Sequence, residues 1–132
     1  MNMKQKNCIM ACHALDRLMA QETSIRTAKK IFDMREKLQS AWDFQVSEEK
    51  KIYASHPNVN PMDGTVTYSE NDEIQKKQRL DELTSFEEKF NELFDMEQDI
   101  EIEPFTISQE EQKNIKITGN DIKALMGFIT FE

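Results

Sequence analysis

Chain-breaking residues are nearly absent from this sequence. Three glycines and three prolines occur in 132 residues, and two of the prolines fall in one nine-residue string, HPNVNPMDG, at His56–Gly64. Tight turns, sandwiches and barrels need such residues at short intervals to reverse the chain. A fold made mainly of strands is therefore excluded, and long uninterrupted helices are what remains. Residues 1–132 have the length of one ordinary domain, so a single domain is expected. Charged residues make up 32% of the chain against 38% hydrophobic. That balance suits elongated helices with one covered face better than a thick globule.

Hydrophobic spacing places the elements. Cys8, Ala11, Cys12, Leu15, Leu18 and Met19 recur at helical intervals and predict a helix over about 4–20. Gln21–Ser24 is polar, and Thr23 or Ser24 suits an N-cap. The next helix is predicted over about 24–55, where Ala28, Ile31, Phe32, Leu38, Trp42, Val46 and Tyr53 keep to one side and no glycine or proline intervenes. At the standard rise it would run roughly 45 Å. Arg35, Gln39 and Glu49 interrupt that stripe, and the mediocre helix formers Val46 and Ser47 mark where a break would fall.

The string His56–Gly64 must end the helix. Val66 and Tyr68 then alternate in a short strand predicted over about 65–68. A third helix follows over about 70–98, with Leu80, Leu83, Phe86, Phe90, Leu93 and Phe94 on one face, and Ser69 with Asp72 resembles a capping box. DIEIEPFTI at about 99–107 and NIKIT at about 114–118 alternate as strands and predict a small β-hairpin. A closing helix over about 120–129 carries Ile122, Leu125, Met126 and Ile129, with Thr118 or Asn120 as its cap. The expected fold is mainly α: an antiparallel hairpin of two long helices, with an N-terminal helix, a small β-hairpin and a short C-terminal helix.

The sequence offers little for chemistry. Cys8, Cys12 and His13 form a C-x3-C-H string to which His56 would add a fourth zinc ligand. Strong zinc signatures come as two spaced pairs, however, and the two thiols share a face with Leu15 and Met19, which is how buried free cysteines behave. Nucleophilic catalysis would have to draw on Cys12, His13 and His56, the only imidazoles being His13 and His56, and neither lies in a catalytic motif. Gly64, Gly119 and Gly127 are scattered, so there is no glycine-rich phosphate loop, and no D-x-D-x-D-G calcium loop is present. No cofactor and no metal is expected.

Charge and leader signals narrow the partners. A net charge of -8 argues against binding a phosphate backbone, so nucleic acid is not an expected partner. No apolar window reaches membrane-spanning length, and the first residues lack the basic start and cleavage site of a signal peptide. With two cysteines that form no disulfide framework, a soluble intracellular protein without a membrane partner is expected. Between Glu87 and Glu111, ten acidic residues meet one base, Lys89. Such a run is either a solvated face and strand edge or a patch that steers a basic partner.

The order of segments carries a family resemblance. A short helix precedes ETSIRTAKKIFDMREKLQSAW, followed by a turn, FEEKFNELFDMEQ, DIEIEPFTI and a closing ITGNDIKALMGFI. This pattern resembles small proteins of unknown function encoded by phages and prophages of Gram-positive bacteria. The resemblance implies a viral or prophage product that acts by contact in the host cytoplasm, and it supplies no catalytic residues to carry over. The leading expectation is a non-enzymatic protein that holds a protein partner or a second copy through its helical hairpin, with Trp42, Tyr53, Phe86, Phe90 and Phe94 as the apolar contact set. The alternatives are an inhibitor of a host defence or nucleic-acid enzyme, acting through Glu97, Asp99, Glu101 and Glu103, and a small metal-dependent enzyme.

Overall fold

Four helix starts are set by side chains that accept from otherwise orphaned backbone N–H groups. Ser24 accepts from Thr27, Asp72 from Gln75, Ser108 from Glu111 and Thr118 from Asp121. The computed structural model describes all residues from Met1 to Glu132 and is mainly helical, with two small sheets. Its helices are α1 (Gln5–Met19), α2 (Ile25–Lys37), α3 (Gln39–Ser55), α4 (Glu73–Asp95), α5 (Gln109–Gln112) and α6 (Gly119–Ala124). Strands β1 (Asn2–Lys4), β2 (Glu97–Asp99), β3 (Phe105–Ile107) and β4 (Ile129–Phe131) have three residues each. The chain forms two compact units, one from Met1–Asp43 together with Glu97–Glu132, the other from Phe44–Met96.

In the first unit α1 is the central element. Cys8, Ala11, Cys12, Ala14, Leu15 and Leu18 are fully or almost fully buried. They pack with Ile31, Met34 and Leu38 and with Ile100, Ile107, Leu125, Phe128 and Ile129. The small side chains on α1 let its neighbours approach closely, and so wide an apolar arc needs cover on more than one side. Gln5 is buried in the same core, where its amide Nε2 donates to the Ala41 carbonyl at 2.8 Å and its Oε1 accepts from Gln98 at 2.9 Å.

The sheets differ from the expected hairpin. β1 pairs antiparallel with β2, with Met3 opposite Gln98, while β3 pairs parallel with β4, with Thr106 opposite Thr130. Residues 114–118 are not a strand, because the Lys116 backbone is taken by one side chain. The Gln21 amide accepts from its N–H at 2.6 Å and donates to its carbonyl at 2.7 Å. A parallel partner requires a long crossover, and α5 and α6 occupy it. The closing helix accordingly stops at Ala124 rather than 129. Gly127, at φ +85, supplies the left-handed residue that turns the chain into β4.

The predicted helix over 24–55 is two helices, interrupted at Leu38. No breaker sits there; Leu38 is fully buried and Arg35 reaches back to Asp16 at 3.0 Å, so packing accompanies the interruption. The expected strand at 65–68 is also absent. Thr65 gives its N–H to the Asp63 carboxylate and its carbonyl to Asn60, which uses both groups inside the turn.

In the second unit Ile52, Val59, Phe86 and Leu93 are buried, with Phe44, Tyr53, Val66, Leu83 and Phe90 packed on them. The turn after α3 is tied to α4 by Glu82, which accepts from the Asn58 backbone N–H at 2.7 Å and from its side-chain amide at 2.9 Å. Helix α4 spans 73–95, inside the 70–98 expected from its stripe.

Candidate functional site

The aromatic residues expected to make contacts are mostly engaged within their own units. Phe86 is 7% exposed and sits in a row of rings, 5.3 Å from Tyr53 and 4.8 Å from Phe90, and Phe94 continues the row 5.9 Å beyond Phe90. Trp42 is half-buried in the first unit, edge-on to His13 at 5.2 Å, with the Arg35 guanidinium 5.2 Å from its centroid. These contacts are of the kind that stabilise a core or its margin.

The acidic run divides. Glu97, Asp99, Glu101 and Glu103 are exposed, and Asp99 receives the terminal ammonium of Met1 at 3.4 Å. Glu111 faces the start of α2, where the Ser24 and Thr27 hydroxyls donate to its carboxylate and hold its pKa below the usual range. Glu103 borders a cleft of about 290 Å³ shared with Lys30, Asp33, Met34, Lys37 and Phe105.

Burial pushes the Cys8 and Cys12 thiols up, that of Cys12 to about 11, so neither is poised as a thiolate nucleophile. His13 is exposed beside Trp42, whereas His56 belongs to the second unit. No three His, Cys, Asp or Glu side chains gather in an arrangement able to hold a metal ion.

Sequence reasoning missed one polar pair. His56 is buried, with Nδ1 2.7 Å from the Ile52 carbonyl and Nε2 2.9 Å from the Ser85 hydroxyl. A carbonyl only accepts, so Nδ1 carries a proton, and in the neutral tautomer Nε2 then accepts from the Ser85 hydroxyl. The pair has the polarity of a base and a hydroxyl, and it ties the end of α3 to α4. The clefts of about 140–390 Å³ elsewhere on the molecule are lined by neither residue.

The largest of those clefts, about 390 Å³, lies where α1 turns into α2. Its lining includes Met19, Ile25, Ala28 and Phe32, the buried Leu18 and Ile31, the polar Gln21 and Thr23, and Lys29, which is ion-paired with Asp33 at 2.6 Å. Ile25 is 90% exposed, Phe32 47% and Met19 43%. Helix α2 thus has two apolar faces. Thr27, Ile31, Met34 and the following Leu38 are buried, whereas Ile25, Ala28 and Phe32, at i, i+3 and i+7, face solvent on a neighbouring side about 120° around the helix, with Ile31 at the boundary lining the same cleft. The sequence stripe merged Ala28 and Phe32 with Ile31 and left Ile25 out. Counting apolar residues around the whole of α2 would have shown more than one covered face needs.

No helix is long and apolar enough to cross a membrane. No family model, curated protein or solved structure matches this chain.

Proposed function

We propose that this is a non-enzymatic protein of phage or prophage type that acts in the host cytoplasm by contact with another protein, through the groove between α1 and α2. The observation that carries this reading is Ile25, 90% exposed, standing with Phe32 and Met19 around an open apolar cleft. A clustered apolar surface of this kind costs solubility unless a partner covers it. In the same reading, the segment Phe44–Met96 is an antiparallel helical hairpin. Its Tyr53, Phe86 and Phe90 close it internally, so the contact surface moves from that aromatic row to α2.

Site-specific photocrosslinking tests this. A benzophenone side chain at position 25, in protein produced in a bacterial host of the proposed kind, should give a discrete adduct that the same group at exposed Lys50 does not. Identical adduct patterns at both positions, or none at position 25, would remove the groove as a contact site. A second reading, occlusion of a basic groove by Glu97, Asp99, Glu101 and Glu103, is favoured by the exposure of all four. It requires binding that survives loss of Phe32 and weakens steeply with salt.

A further inference from the structure

We draw no further inference here: the strongest candidate, the apolar groove between α1 and α2 around Ile25, Ala28 and Phe32, belongs to the contact surface already described, and nothing in the structure shows what covers it.

Discussion

Ile31 and Phe32 are neighbours in sequence and both border the α1–α2 cleft, but one is buried and the other half-exposed, so replacing each by alanine compares a core position of α2 with a surface one. Ile31 is 1% exposed within the first unit's core. Ile31→Ala deletes three buried carbons, about 2.4 kcal/mol at roughly 0.8 kcal/mol each. The cavity left behind raises the cost to about 3–4 kcal/mol. Phe32 is 47% exposed, so about half of the full burial energy of a phenylalanine is at stake, on the order of 1 kcal/mol. Lys29 lies 5.7 Å from its ring centroid and adds about 0.5 kcal/mol, which the better helix propensity of alanine returns. Urea denaturation followed by circular dichroism should therefore separate the variants by about 2–3 kcal/mol, with Phe32→Ala the milder. Equal destabilisation, or a Phe32→Ala cost above about 2 kcal/mol, would show that Phe32 belongs to the core and would refute the argument for a two-faced helix.

Three further outcomes follow from named contacts. Gln5→Leu keeps the volume but loses the hydrogen bonds to Ala41 and Gln98, and urea titration should give a loss of about 2 kcal/mol. The Cys12 thiol, pushed to about 11, should react with iodoacetamide at pH 8 about a hundredfold more slowly in the native protein than in urea. From about pH 9 to 11 the unfolded thiol ionises while the folded one keeps its proton, so its contribution to stability falls as pH rises. Asp121 is held below the usual carboxylate range, first by its hydrogen bond from Arg17, and that contribution is present at neutral pH. It is lost as pH falls through the folded value, so Asp121→Asn should flatten the acid limb of a stability–pH curve.

What the sequence made legible was local. The stripe of α1, the body of α4 and the caps at Ser24 and Thr118 follow from spacing and side-chain chemistry within a few residues. The missed features depend on partners far along the chain. The interruption at Leu38 goes with its burial and with Arg35 reaching Asp16, and no glycine or proline announces it. The NIKIT string alternates as a strand should, yet Gln21, 95 residues earlier, takes the Lys116 backbone. β4 is three residues long and pairs across a crossover, which leaves too little local pattern to read. For the candidate site, the aromatic set was legible as apolar but not as already covered. Ile25 escaped notice because one apolar residue at a helix start carries no period.

The division of the first unit between Met1–Asp43 and Glu97–Glu132 bears on the order of events at the ribosome. Phe44–Met96 is continuous, and its contacts can form as soon as it emerges. Helix α1 meets Ile31, Met34 and Leu38 early, but its partners Ile107, Leu125 and Phe128 are made about ninety residues after it, so part of its cysteine-bearing core face stays wet until then. Nascent chains stalled before residue 97 should therefore leave both thiols more open to alkylation than chains in which Glu97–Glu132 has emerged and folded.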